Sequence, residues 1–172
     1  MSSILENYTQ LTARVDALCA DIAAALGKQI TCSAGCSSCC TAITIFPVEA
    51  AAMREALEKL PQQQIEEIRR QVAQHADGER CPLLREDRCL LYEARPIICR
   101  THGLPIIYTT DGTRSSDCCP RNMSDADAVS GSNAVNLDTL NTLLVAVNAI
   151  YLTQSGTPET ALRMTIPAAL DP

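Results

Sequence analysis

The sequence predicts a mainly α protein: helices packed around an irregular, cysteine-rich metal-binding core with little β structure. Three observations predict it. Apolar residues recur at steps of three and four near both ends of the chain, the period of one face of a helix. The middle lacks that period and is rich in cysteine, proline and turn residues. Hydrophobic residues make up 47% of the chain but aromatic residues only 3%, with no Trp, so the core must be aliphatic, as is common in helical proteins. At 172 residues, a single domain over 1–172 is expected, with a metal-binding core at about 28–122. An N-terminal helix at 3–26 and a C-terminal helix at about 135–152 flank it.

In the first helix, Ile4, Tyr8, Leu11, Val15, Leu18, Ile22 and Leu26 form one stripe, and Gly27 closes it as a C-terminal cap. Cys19 lies beside that stripe and reads as a small buried apolar residue rather than a ligand. The β-branched run Thr41-Ala42-Ile43-Thr44-Ile45-Phe46 is a short strand or an extended connection. Pro47 suits the first turn of a helix running to Leu60. Pro61 breaks it and opens the next, whose buried face is Ile65, Ile68 and Val72 and which Gly78 closes. The stretch CPLLREDRCLLY reads as two short extended pieces around a polar turn at 85–88. Pro96 can start a short helix carrying Cys99, and Asp111-Gly112 is a turn signal. In the last helix Leu137, Leu140, Leu144, Val147 and Tyr151 point inward. The tail, with Pro158 and Pro167, is expected to be irregular.

Charge narrows the function. The net charge is −6, and the one dense basic spot, Arg69-Arg70, is balanced by Glu66-Glu67 on a solvated helix face. Nucleic acid binding, which needs basic patches to displace phosphate counterions, is not expected. No stretch approaches the roughly 18 apolar residues of a membrane span. The longest greasy run, 143–152, is broken by Asn148. The N-terminal segment has no basic start followed by an apolar core, so no secretory signal is read there. The expectation is a cytoplasmic protein without membrane or nucleic acid partners, in a compartment that keeps thiols reduced. Ten cysteines there point to metal binding or redox chemistry rather than a disulfide scaffold.

Four of the ten lie within nine residues, as Cys32-x3-Cys36-x2-Cys39-Cys40. Such spacing lets one short loop wrap several sulfurs around a metal with little loss of loop-closure entropy. The Cys36-x2-Cys39 step suits both zinc and iron–sulfur clusters. The remaining group is Cys81, Cys89, Cys99 and Cys118-Cys119. Adjacent side chains point to opposite faces in extended chain and about 100° apart on a helix. Cys39 and Cys40 therefore serve different metals, or one bridges, or one is spare, and the same holds for Cys118 and Cys119. The first loop is expected to contribute to a site that the later group completes. Arg95 and Arg100 flank Cys99, and Arg121 follows Cys118-Cys119. Positive charge there favours thiolate, as does a position in the first helical turn after Pro96, unless these arginines form ordinary structural pairs. His102 could share a metal with Cys99 but reads more readily as structural or exposed. His75 is far from any cysteine.

The order CxxxCxxCC, then Cys81-Pro-Leu-Leu, then Cys89-Leu-Leu-Tyr-Glu-Ala-Arg-Pro-Ile-Ile-Cys99-Arg, then a late cysteine, resembles a bacterial cysteine-cluster family, the YkgJ-like proteins, described as zinc- or iron-chelating domains. The resemblance covers roughly residues 32–119. It implies Cys32, Cys36, Cys39, Cys40, Cys81, Cys89, Cys99 and Cys118 as metal ligands, with Cys119 an extra neighbour that leaves the last assignment open. It implies metal binding but no settled reaction. Eight thiolates suit two all-thiolate zinc sites, two iron–sulfur clusters, or one of each. The balance leans to a cluster of the 4Fe–4S kind, because Cys32-x3-Cys36-x2-Cys39 has the spacing of the radical S-adenosylmethionine cluster loop. The expected role is structural, metal-handling or electron-transferring, the last two toward an unknown protein partner. The alternative is an enzyme using a cluster with S-adenosylmethionine for methyl or radical transfer. A thiol redox sensor built on Cys39-Cys40 or Cys118-Cys119 ranks below both.

Overall fold

The computed structural model describes residues 3–32, 35–122, 129, 131–158 and 163–171. It is 54% helical and 14% strand, with the strands in small separate sheets, so the mainly α expectation holds.

A 3-10 turn, Ser3–Leu5, leads into α1 (Glu6–Leu26). Its inner face is Tyr8, Leu11, Val15, Ile22 and Leu26, and Gly27 takes the positive φ of 52° that stops it. Leu18 departs from the expected stripe. It is 44% exposed, and Cys19 turns inward in its place, packing between two hydrophobic clusters.

After the first cysteine loop, β1 (Thr44–Ile45) precedes α2 (Pro47–Glu58), which begins on the expected proline. α2 ends two residues short of Leu60. α3 (Gln62–Gln74) follows Pro61, buries Ile65, Ile68 and Val72, and stops at His75, before Gly78. The polar turn lies where expected. β2 (Leu84–Arg85) and β3 (Arg88–Cys89) pair antiparallel around Glu86 and Asp87, whose φ values of 49° and 59° match a primed two-residue hairpin turn. The short helix α4 (Ile97–Thr101) starts after Pro96 and carries Cys99.

Among the described residues, five elements lie beyond what periodicity shows. Asp111-Gly112 turns a hairpin of β4 (Ile106–Thr110) and β5 (Thr113–Asp117), to which β6 (Val135–Asn136) adds parallel to β4. β6 runs directly into α5 (Leu137–Ser155), capped by the Asn136 side chain accepting from Thr139 N–H. The tail is not irregular. β7 (Met164–Thr165) pairs with β1, and α6 (Ile166–Leu170) follows, capped by Thr165. The cause is tertiary: Ile166, Ala169 and Leu170 are buried in the cluster built by α2 and α3. On α5, Leu144, Tyr151 and Leu152 are buried as the helical period requires, with Asn148 among them.

Among the described residues, three hydrophobic clusters result. One gathers α2, α3 and α6 with Leu83 and Leu91. A second joins α1, α5, Val48 and Ile97. The third closes the end of α1 over Leu104 and Val135. Among the described residues, no helix is long and apolar enough to cross a membrane.

Candidate metal centre

A cleft of about 490 Å³ opens beside the first hydrophobic cluster. Its lining includes Cys32, Cys36, Cys39, Cys40, Cys81, Cys89 and Cys99, seven of the eight expected ligands. The rest is largely apolar, with Met53, Leu83, Leu91 and Ile166 shared with the core. All ten cysteines are free thiols.

Local structure explains the convergence. Residues 41 and 80 form an isolated bridge, Ala42 N–H donates to Glu79 O at 2.8 Å, and Cys81 N–H donates to Cys40 O at 3.0 Å. Cys40 and Cys81 are therefore laid side by side. The β2–β3 hairpin folds Cys89 back toward Cys81, with Leu84 opposite Cys89 and Leu90 N–H bonded to Leu83 O at 2.9 Å. Cys99 is brought in by Glu49, a carboxylate only 2% exposed. Its oxygens accept from Phe46 N–H at 2.9 Å and from Ile97 N–H at 3.0 Å, tying the starts of α2 and α4 together. A buried carboxylate across two helix N-termini satisfies donors that have no intrahelical partner.

The front of the loop is held by a different clasp. Asn122 is fully buried. Its Oδ1 accepts from Thr31 N–H at 2.8 Å and Cys32 N–H at 2.9 Å, and its Nδ2 donates to Gly103 O at 2.6 Å. Its own N–H donates to Cys119 O at 2.8 Å. Arg121 donates to Cys36 Sγ at 3.6 Å. Between the two halves, buried Ser37 is bonded to Asp87 in the hairpin turn and accepts from Arg80 at 2.8 Å.

Burial raises the pKa of most of these thiols. Cys99 is pushed up to about 12, first by desolvation and then by Cys81, Cys89 and Cys40. Cys81, Cys89, Cys40 and Cys39 are raised with desolvation as the leading cause. The arginines beside Cys99 thus do not make it a thiolate. Arg100 and Arg95 pair with Asp16 of α1, and Arg100 also donates to the carbonyls of Glu93 and Arg95, so they pin α4 to α1. Cys36 is the exception. Hydrogen bonds from the Ser38 side chain and backbone lower its pKa, and the Cys32 thiol and the Arg121 charge add to that effect. A metal arriving at the buried thiols must displace their protons, so uptake releases acid and strengthens as pH rises.

Cys118 is the expected ligand that does not line the cleft. Its thiol donates to Asn122 O at 3.7 Å, and it packs against Ile22, Leu26, Leu104 and Val135. Its neighbour Cys119 acts electrostatically on Cys32. His102 lines the cleft, with its pKa lowered by desolvation, whereas exposed His75 bonds Gln71 O in its own helix. Among the described residues, no group of three or more His, Cys, Asp or Glu side chains stands in metal-gripping geometry. By donor chemistry the cleft fits a thiophilic group: seven thiols face it against one imidazole and one carboxylate, that of Asp87.

Reasoning from sequence passed over Glu49 and Asn122, which sit outside the cysteine motifs, and Ser37, which sits inside the first one as a spacer. Only Glu49 carried a signal: an acidic residue at the third position of a helix that opens on proline, which points to an N-terminal cap.

Thiols drawn from four stretches of chain, unlinked to one another and facing one apolar cleft, define a cysteine-cluster domain suited to chelating metal. The chain belongs to the CxxCxxCC family, described as a "putative zinc- or iron-chelating domain", whose model matches residues 31–120, just over half of the sequence. The first gap of the motif here holds three residues where the family's descriptive name has two. No curated protein and no solved structure matches the chain.

Proposed function

We propose that this protein binds iron in its cleft as an iron–sulfur cluster held by cysteine thiolates, with the centre serving structure, metal handling or electron transfer. The supporting observation is the gathering of seven cysteines around one cleft lined otherwise mainly by apolar side chains. Cluster irons are held by cysteine thiolates, and an apolar, partly enclosed setting tunes their potential and stability. The residues that would hold the group are Cys32, Cys36, Cys39, Cys40, Cys81, Cys89 and Cys99, with a further sulfur from the 118–119 pair. When bound, the cluster supplies one-electron redox capacity or a cross-link between loops. The chain's own residues set where the sulfurs stand, through Glu49, Asn122 and the β2–β3 hairpin.

The test is elemental and sulfide analysis of protein purified without oxygen. Iron and sulfide in comparable amounts, with a brown colour, support the reading. Stoichiometric zinc with no visible absorption replaces it with all-thiolate zinc sites. A folded protein with no bound metal removes both. The enzymatic alternative, a cluster working with S-adenosylmethionine, is separated by calorimetry on the loaded protein, where the absence of binding heat eliminates it.

A further inference from the structure

We propose that the cysteines divide into two separate four-thiol centres: an inner one of Cys40, Cys81, Cys89 and Cys99, and an outer one of Cys32, Cys36, Cys39 and Cys119, with Cys118 left out. This rests on the metal-binding reading above and refines it.

The division follows from which backbone segments are tied to which. The second half of the first loop is laced to the 79–81 segment through the Ala42–Glu79 and Cys81–Cys40 hydrogen bonds. That segment leads into the hairpin that returns Cys89. The neighbouring thiols that act on Cys40 are those of Cys81, Cys39 and Cys89, and those that act on Cys99 are Cys81, Cys89 and Cys40. The first half of the loop is laced elsewhere. Asn122 holds the Thr31 and Cys32 amides, Thr31 also donates to Arg121 O, and Arg121 reaches Cys36. The thiols acting on Cys32 are Cys36, Cys39 and Cys119, while Cys39 itself faces Cys40 as well as Cys36 and so marks the border between the sets. Ser37, anchored by Arg80 and Asp87, stands between the sections.

Cys118 and Cys119 part from each other, whereas the Cys39 and Cys40 thiols stay within hydrogen-bonding reach where the two sets adjoin. Adjacent side chains in extended chain diverge, and of the 118–119 pair one goes to the apolar cluster at the end of α1 while the other goes to the loop side. Cys118 is thus a packing residue whose thiol is spent on the Asn122 carbonyl. The two centres also differ in access: Cys32 is exposed, whereas Cys81 and Cys89 of the inner set pack against the cluster that holds Leu83 and Leu91. Four thiolates form a complete set for either zinc or a cubane cluster.

The test is metal content, by elemental analysis after dialysis against a chelator, of the wild type and three variants prepared without oxygen. Cys119→Ala is expected to retain half the wild-type metal. The double variant Cys36→Ala/Cys119→Ala is expected to fall no lower, because both residues serve the same centre and the inner one stays filled. Cys118→Ala is expected to keep the full amount, with at most a loss of thermal stability. Cys119→Ala at the wild-type level, a halving in Cys118→Ala, or a total loss in Cys119→Ala would each overturn the division while leaving metal binding standing. A wild type empty of metal would instead remove the reading on which the division rests.

Discussion

Glu49 holds two backbone amides where water does not reach, and Gln cannot reproduce this with both oxygens, since its NH2 group would face a backbone N–H. Glu49→Gln should therefore lose about 1–3 kcal/mol in urea unfolding. The pH dependence has a definite sign. Burial raises the Glu49 pKa, against the two hydrogen bonds that oppose the rise. The folded state keeps this proton to higher pH than the unfolded chain, whose glutamates titrate near about 4.3. The contribution is fully present below that value, is lost as pH rises through the raised folded pKa, and is flat beyond. Unfolding curves of wild type and Glu49→Gln across that window should draw closer as pH rises; parallel curves would contradict the assignment. Asn122 is the companion case. Asn122→Ala removes three part-buried hydrogen bonds made by a fully buried side chain and should destabilise by about 3 kcal/mol, read as a lower urea midpoint. The cysteines were legible in the sequence because sulfur spacing is local information. The reach of Glu49 to Ile97 and of Asn122 to Thr31 was not, because those partners lie 48 and 91 residues away.

At the level of elements, the sequence was clearest where structure is self-contained. The stripes of α1 and α3, the proline starts of α2 and α4 and the polar hairpin turn all follow from residues within a few positions of each other. The β2–β3 turn places Glu86 and Asp87 at positive φ, a region that disfavours side chains other than Asn, Asp and Gly. Asp87 is fixed by its bond to Ser37, but Glu86 is free to improve. Glu86→Asn should raise stability by roughly 0.5 kcal/mol, seen as a higher thermal midpoint with metal content unchanged. The β7–α6 tail was illegible for the opposite reason. Seven residues ending in a five-residue helix have no period to detect, and Pro167 reads as a breaker until Thr165 is seen capping the turn before it. Ile166, 2% exposed, reaches both the core and the cleft wall. Ile166→Ala should cost about 3 kcal/mol in unfolding free energy.

Across the whole molecule, the cleft is walled by the same cluster that packs α2 against α3 and α6, while α1 and α5 enclose a separate cluster. Removing metal should therefore loosen the protein unevenly. Amide exchange after chelation is expected to rise in the cysteine loop, the β2–β3 hairpin and α4, while α1 and α5 keep their protection. Uniform loss of protection would mean that metal and fold form a single cooperative unit. That the chain is mainly helical was readable from composition and period. The way two loops and a hairpin meet was not, since no local signal encodes contacts between 31–40 and 79–122.

The Asn122 side chain spans 90 residues of chain to take the Cys32 amide. Contacts so distant along the polypeptide form slowly, because a long loop must close before they repay its entropy. During synthesis the four sulfurs of the 32–40 loop therefore leave the ribosome well ahead of Asn122, which helps to position them. Through that interval they are an unshielded, soft-metal-seeking tether. Metal that arrives only after residue 122 has emerged meets a loop that its clasp can already hold in place.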